Sequence, residues 1–198
     1  MKKLQNITGV ILAGGTNSRM GADKALLLLN GLPFIQRIVG VLKEVFEHVV
    51  VISDHGPTYQ FLGLPIYPDV QKHSGPLGGI HSAFIHTDAP AIFVVGCDTP
   101  YVTPGLIRYI CDFESLDDIK IPIMNGQLQP LCAVYSRKTL KQIEENIKAG
   151  LLKVDFLLEK IHAAIIPITP NLPFYDKRLL TNINTAKDYE AFVTNSTH

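Results

Sequence analysis

The segment Ile7-Thr8-Gly9-Val10-Ile11-Leu12-Ala13-Gly14-Gly15 decides the fold. It is a short, mostly apolar run ended by two glycines, which is how a strand buried on both faces of a parallel sheet reads; a half-exposed strand would alternate. Outward from it, a polar loop containing Gly21 leads to Pro33, suited to the first turn of a helix. Ile35, Ile38, Val39, Leu42 and Phe46 then repeat at the spacing of one helical face, and His48 to Ser53 is a second strand before the turn Asp54-His55-Gly56-Pro57. Ile66-Tyr67 is a brief third strand. Ser74-Gly75-Pro76-Leu77-Gly78-Gly79 is a loop opening a helix through Ile80, Ala83, Phe84 and Thr87. Ala91 to Gly96 is the most strand-like stretch of the chain and stops at Cys97-Asp98-Thr99-Pro100. Strands alternating with helices predict an α/β domain whose parallel sheet carries helices on both faces.

The second half changes character. Lys120 to Met124 and Leu128 to Tyr135 read as two strands around Asn125-Gly126, a pair that readily supplies the positive φ angles of a tight hairpin turn. A helix from Lys138 to Lys148 ends at Gly150, a second apolar stripe runs through Val154, Leu157, Leu158 and Ile161, and Ala163 to Ile168 is another strand. Pro167, Pro170 and Pro173 enforce irregular backbone until a last helix, Ala186 to Phe192. No repeat or linker divides the chain. The prediction is one domain over 1–198: a Rossmann-like, mostly parallel sheet with helices on both faces and a β-hairpin inserted in the C-terminal half.

Composition narrows the function. Eighteen Lys and Arg balance eighteen Asp and Glu, so no basic excess exists to drive binding to nucleic acid or to an anionic membrane surface. A chain of 198 residues buries about 70% of its unfolded surface and needs no staple. Cys97, Cys111 and Cys132 are far apart with no C-x-x-C pair, which suggests neither disulfides nor a zinc knuckle and fits a reducing cytoplasm. Met1-Lys2-Lys3 followed by Ile7 to Gly15 imitates a secretion signal, but Gln5, Asn6 and Thr8 interrupt the apolar stretch. No run approaches the ~18 apolar residues of a membrane span.

Chemistry concentrates in two places. Leu12 to Lys24 follows a buried strand at its carboxyl end, its glycines let main-chain N–H groups approach phosphate oxygens, and Arg19 and Lys24 bring positive charge. It is neither a Walker loop nor a dinucleotide G-x-G-x-x-G; the bland alternative is a Gly-rich surface turn with solvated charges. Asp98, just past another buried strand, points into the crevice where open α/β sheets bind ligands and can hold a hard cation such as Mg²⁺. The alternative role for Asp98 is a cap on the helix near Pro104, for which Thr103 is better placed. The seven histidines show no metal-ligand spacing. Cys97 reads as a small buried apolar side chain.

Leu12-Ala13-Gly14-Gly15 with Met20-Gly21 and Asp23-Lys24-Ala25, then Gly75-Pro76-Leu77-Gly78-Gly79-Ile80, Cys97-Asp98-Thr99-Pro100-Tyr101-Val102 and finally Asn182-Ile183-Asn184-Thr185 together resemble the molybdenum cofactor guanylyltransferases. The resemblance spans Val10 to Asp188. It implies transfer of GMP from GTP to the terminal phosphate of molybdopterin, with release of pyrophosphate. It further implies that Leu12, Ala13, Gly14 and Gly15 line the guanine and ribose side, that Lys24 and Arg19 serve phosphate, and that Asp69 serves the nucleotide. Asp98 would hold Mg²⁺, and Asn182 and Asn184 would face the pterin. On this reading 1–110 is the nucleotide-binding half and 111–198 the cofactor-facing half, with transient contacts to cofactor-delivering or cofactor-accepting proteins. Gly14, where related nucleotidyltransferases usually carry Ala, looks like the guanylyl branch.

The chain also departs from the pattern. Asn17 stands where Ser is usual and Ala186 where Pro is usual, Ile52 and Ser53 replace a frequent Asn, and Lys153 lies near a usual Arg whose bidentate fork it lacks. Gln129 and Pro130 match a substrate-side region, or else a solvent-facing edge strand. A cytidylyltransferase for the same cofactor and a non-enzymatic GTP or cofactor carrier are the alternative functions. The reaction itself suits these residues. A phosphate nucleophile is already deprotonated, so no Ser-His-Asp relay is required and catalysis comes from positioning and from fixed positive charge.

Overall fold

The chain begins with β1 (Ile7–Leu12), followed by the short strands β2 (Leu28–Leu29) and β3 (Leu32–Pro33), then α1 (Phe34–Val45), β4 (Val49–Ile52) and β5 (Ile66–Tyr67). Next come α2 (Gly75–His86), β6 (Ala91–Gly96) and α3 (Pro104–Cys111). The second half adds β7 (Ile119–Met124), β8 (Gln127–Leu128), β9 (Cys132–Ser136), α4 (Leu140–Lys148), α5 (Val154–Leu158) and β10 (Ala163–Pro167). This computed structural model describes residues 2–14, 23–183 and 188–189. The predicted helix over Ala186 to Phe192 lies almost wholly outside them.

β1 sits near the middle of one sheet with strand order β10-β7-β9-β6-β1-β4-β5, and β8 pairs β7 off that path. Along the path only β9 runs against the others: β1 pairs β4 and β6 in parallel, β4 pairs β5 in parallel, and β10 pairs β7 in parallel. The register Leu12↔Ile52 and Leu12↔Gly96 brings the ends of β1, β4 and β6 level. From β1 the chain builds toward β5, then returns to lay β6 on the other side, so a crevice opens between the loops that leave these strands.

Val10 and Ile11 point to opposite faces and both are 0% exposed, as the two-sided reading of β1 requires. Ile11 joins Ile35, Ile38 and Leu42 of α1 and Ile107 and Ile110 of α3 in one apolar cluster. Val10 joins Leu77, Ile80 and Phe84 of α2, Ile143 of α4 and Leu157 of α5 in another. These two layers hold the crevice edge rigid from both sides.

The structure refines five local expectations. The hairpin turn forms, with Asn125 and Gly126 at φ 53° and 76°, but its second arm is split. β8 ends at Leu128, Gln129 N–H donates to Pro122 O (3.0 Å), and β9 starts only at Cys132. Pro130 has no N–H to give a ladder, so Gln129 and Pro130 belong to a break and not to an edge strand. β9 then inserts between β6 and β7, which makes the sheet mixed. Helix α2 starts at Gly75, inside the stretch read as loop, and Pro33 precedes α1 as the last residue of β3. The small β2–β3 hairpin, turned by Asn30 and Gly31, has no counterpart in the sequence reading.

Candidate active site

The edge at β1 is built from backbone. Ala13 N–H donates to Ile52 O at 3.0 Å and Cys97 N–H donates to Leu12 O at 3.2 Å, so the strand ends are stitched together past their last regular residues. The Ser53 hydroxyl donates to Ala13 O (2.8 Å) and accepts from His55 N–H (3.1 Å). Buried and committed to the loops themselves, Ser53 shapes the edge instead of facing a ligand.

The Gly75-Pro76-Leu77-Gly78-Gly79 segment lets α2 approach this edge closely. A Cβ on Gly78 would lie 2.8 Å from Ser74 Cβ and 3.0 Å from Gln71 O, and one on Gly79 would lie 3.0 Å from Leu12 Cδ2. Both glycines are packing requirements. Beside them is Asp69, whose backbone N–H donates to Asp54 Oδ1 (3.2 Å). Its Oδ2 lies 3.7 Å from where a Cβ on Gly14 would be. Among the described residues Asp69 Oδ1 is buried and has no hydrogen-bond partner. Burial, reinforced by the Asp54 charge, raises the Asp69 carboxyl above its usual range, against the pull of the Ser82 hydroxyl. An acceptor-only oxygen held this way suits a ligand that brings donors.

The edge at β6 is built from side chains. The Asp98 carboxylate folds back over the strand end, where a Cβ on Gly96 would come within 2.6 Å of its Oδ1. The Thr99 hydroxyl lies 3.3 Å from Asp98 Oδ1 and 3.0 Å from Asn182 Oδ1, with one proton to donate between them. Ile183 N–H donates to Asp98 O at 3.0 Å, which fastens the Asn182 segment to this corner. Burial raises the Asp98 carboxyl; a backbone N–H, the Lys24 charge and Thr99 oppose it. Lys24 and Asp98 are thus within electrostatic reach of each other. Thr103 caps α3, its hydroxyl accepting from Leu106 N–H at 3.3 Å, which leaves Asp98 available for another task. The Cys97 thiol is pushed up to about 12, first by burial and then by Asp98 and Asp23, so it stays protonated and unreactive.

Lys24 opens a short 3₁₀ turn, Lys24–Leu26, behind Asp23. Asp23 Oδ1 accepts from Ala25 N–H (3.0 Å) and Oδ2 accepts from the Tyr59 hydroxyl (2.6 Å).

Of the predicted residues, Leu12, Ala13, Gly14 and Asp69 thus gather at one end of the crevice and Lys24, Asp98 and Asn182 at the other. Gly15, Arg19 and Asn184 lie outside the described residues. Lys153 is exposed just before α5. Sequence reasoning gave no site role to Thr99, Asp54, Asp23 or Tyr59, although Asp23 and Thr99 stand inside the quoted motifs.

Metal donors are few. Among the described residues no three His, Cys, Asp or Glu side chains cluster as a metal site. Mg²⁺ requires no such cluster, since one or two carboxylates suffice when water and substrate phosphate complete the shell. Asp98 and the Asn182 amide, both oxygen donors sharing Thr99, fit that requirement. The buried His81 has its Nε2 3.7 Å from Glu144 and its Nδ1 without a hydrogen-bond partner among the described residues, and His86 stacks on Tyr67 with ring centroids 4.7 Å apart; neither belongs to a cluster of three such side chains among the described residues. A groove of about 540 Å³ bounded by Asp118, Lys138, Lys141 and Lys160 lies at the opposite edge of the sheet and contains none of the predicted residues.

Known proteins are similar to this chain in sequence and in fold. A protein of Pelotomaculum thermopropionicum described as a probable molybdenum cofactor guanylyltransferase is 42% identical over 147 residues, covering 74% of this chain and 72% of the relative. One of Clostridium perfringens strain 13, described in the same words, is 33% identical over 193 residues, 94% of this chain and 96% of the relative. The crystal structure of molybdopterin-guanine dinucleotide biosynthesis protein A from Archaeoglobus fulgidus shares the fold, with a TM-score of 0.79 at 24% identity over 95% of this chain and 97% of that one. Residues 9–163 match the family model of the MobA-like NTP transferase domain. That match runs from β1 to the start of β10 and takes in both Lys24 and Asp98, and by it the chain belongs to the MobA-like NTP transferase family.

Proposed function

We propose that this protein transfers GMP from GTP to the terminal phosphate of molybdopterin, releasing pyrophosphate and forming the guanine dinucleotide cofactor. The observation that supports the reading is the Thr99 hydroxyl set between Asp98 and Asn182 at the end of β6, with the Lys24 charge acting on Asp98, next to the edge where Asp69 lies beside Gly14. An oxygen of the molybdopterin phosphate attacks the α-phosphorus of GTP, and the bond from that phosphorus to the bridging oxygen of pyrophosphate breaks in line. Both reactants are anions, so the barrier is dominated by their repulsion.

Lys24 lowers that repulsion by placing an ammonium beside the phosphates, aided by Arg19 and the amides of Gly14 and Gly15. Asp98, with the amide oxygen of Asn182, would hold Mg²⁺, which when bound adds positive charge next to phosphate oxygens. Thr99 keeps Asp98 and Asn182 in one arrangement through its hydroxyl. Asn182 and Asn184 meet the pterin side, so that 1–110 serves the nucleotide and 111–198 the cofactor.

At the base end, Gly14 is exposed beside Asp69. An alanine there would place a methyl group in van der Waals contact with the carboxylate that guanine donors would meet. The free cysteines fit a cytoplasmic setting.

Purified protein, labelled GTP and molybdopterin with Mg²⁺ test the assignment directly. Labelled dinucleotide and stoichiometric pyrophosphate are expected. GTP bound without pyrophosphate release would make the protein a carrier, and turnover with CTP in preference to GTP would move it to the cytidylyl branch.

A further inference from the structure

The turn that carries Lys24 is only three residues long, and a single 3₁₀ turn has little stiffness of its own. Its internal ties are Ala25 N–H to Asp23 Oδ1 (3.0 Å) and Leu26 N–H to Asp23 O (3.0 Å). Leu27 N–H also donates to Lys24 O (3.2 Å), Phe34 N–H at the start of α1 donates to Leu27 O (2.9 Å), and Ala25 is buried in the apolar cluster. A side-chain tie comes from the Tyr59 hydroxyl, which donates to Asp23 Oδ2 at 2.6 Å across 36 positions of sequence. Tyr59 belongs to the 3₁₀ stretch Gly56–Leu62 between β4 and β5 and is 1% exposed, its ring packed in the same apolar cluster as α1. Burial and the adjacent Asp23 carboxylate push its phenol far up, so it is a neutral donor at any working pH. Hydrogen bonds from a hydroxyl to a carboxylate are short and strong. A buried phenol also needs a partner, whereas phenylalanine would fill the same space without one.

We propose that Tyr59 is a positioning residue for the transfer reaction: by clamping Asp23 it fixes the turn from which the Lys24 side chain starts. This rests on Lys24 being the phosphate contact. Neither Tyr59 nor Asp23 touches the reacting atoms. Their effect passes through a long, rotamer-rich lysine whose usefulness depends on where its stem starts. The clamp also joins the 3₁₀ stretch after β4 to the turn that carries Lys24.

The test compares wild type, Tyr59→Phe, Lys24→Ala and the double variant. Tyr59→Phe removes one oxygen and keeps the ring; circular dichroism establishes that each variant is folded. Two readouts are taken: GMP transfer to molybdopterin, and acetylation of Lys24 by limiting acetic anhydride, measured by peptide mass spectrometry relative to the exposed Lys43 of α1. Tyr59→Phe is expected to lower kcat/KM about tenfold and to add nothing in the Lys24→Ala background, because a lost clamp cannot misplace an absent amine. The Lys24-to-Lys43 labelling ratio should shift about threefold or more as the constraint is released. An unchanged ratio, unchanged kcat/KM, or losses that multiply in the double variant would each overturn the proposal. Should wild type transfer no GMP while the ratio still shifted, the clamp on Lys24 would stand as a structural fact but its role in transfer would fall with the reaction assignment. If Tyr59→Phe failed to fold, Asp23→Asn, which keeps the shape and weakens the same bond, answers the same question by the same two readouts.

Discussion

The two ends of the crevice are made by different means. At the β1 end the working surface is main chain, with strand ends tied by N–H to C=O bonds and a helix start brought close because Gly78 and Gly79 carry no side chain. At the β6 end it is side chain: Asp98, Thr99 and Asn182 linked through one hydroxyl, with Lys24 arriving from a separate turn. Their charges differ as well. Asp98 has a cation within reach to offset its burial, while Asp69 has a second carboxylate, Asp54, as its neighbour. On the proposed function, the β1 end would grip the base with its waiting acceptor and the β6 end would be the transfer end, where charge is held in balance for the phosphates.

The sharpest way to break this contrast is at the transfer end. Lys24→Ala should cost about 3–4 kcal/mol of barrier, the scale of losing one preorganised electrostatic contact, and so slow single-turnover GMP transfer by two to three orders of magnitude. The fold should survive, since Lys24 is only partly buried. A variant that turned over normally would remove Lys24 from the chemistry and leave the β6 end without its cation.

At the other end the expected damage is to packing. Gly78→Ala would force a methyl group to within 2.8 Å of Ser74 Cβ and 3.0 Å of a carbonyl oxygen, an overpacking strain of about 1–3 kcal/mol. Thermal unfolding should show it as a lowered Tm even without nucleotide. A neutral result would mean that the approach of α2 to β1 is looser than the geometry indicates.

The smallest effect tests the charge imbalance. Asp69 has a folded-state pKa raised above its ordinary 3.8, so the folded protein binds this proton more tightly than the unfolded chain does. Stability therefore falls as pH rises from about 3.8 through that raised value. Asp69→Asn removes this penalty. At neutral pH it should stabilise the unliganded protein by less than about 1 kcal/mol, since the site is partly solvated, and it should weaken GTP binding. Denaturant midpoints of the two proteins across the acid range, with and without GTP, give both signs.

Much of the scaffold was legible because its signals are local. β1, β4 and β6 are continuous apolar runs, α1 shows a helical stripe, and Thr103 announces the start of α3 one residue ahead of Pro104. Asn125-Gly126 and Asn30-Gly31 carry the same turn signal, yet only the first was read, because the strands beside Asn30 are two residues long and too short to show alternation. Lys24 and Asp98 stood out by their places after buried strands, and Asp69 and Asn182 only through the family resemblance. Their partners did not. Tyr59 looks like any tyrosine in a polar connection, and Thr99 like a turn residue, until the fold brings Asp23 to one and Asn182 to the other.

From its residues alone, then, this protein settled that β1, β4 and β6 are buried strands, that α3 begins behind Thr103, and that glycine and cationic residues follow the first strand, since each of these depends on neighbours a few positions away. Only the tertiary structure decided that β9 slips between β6 and β7, that Ser53 turns inward to hold Ala13, and that Thr99 bonds across 83 positions to Asn182. Such contacts form when the closure of long loops is offset by burial and hydrogen bonding in the assembled sheet. That balance involves residues far apart along the chain and so leaves no periodic trace in the sequence.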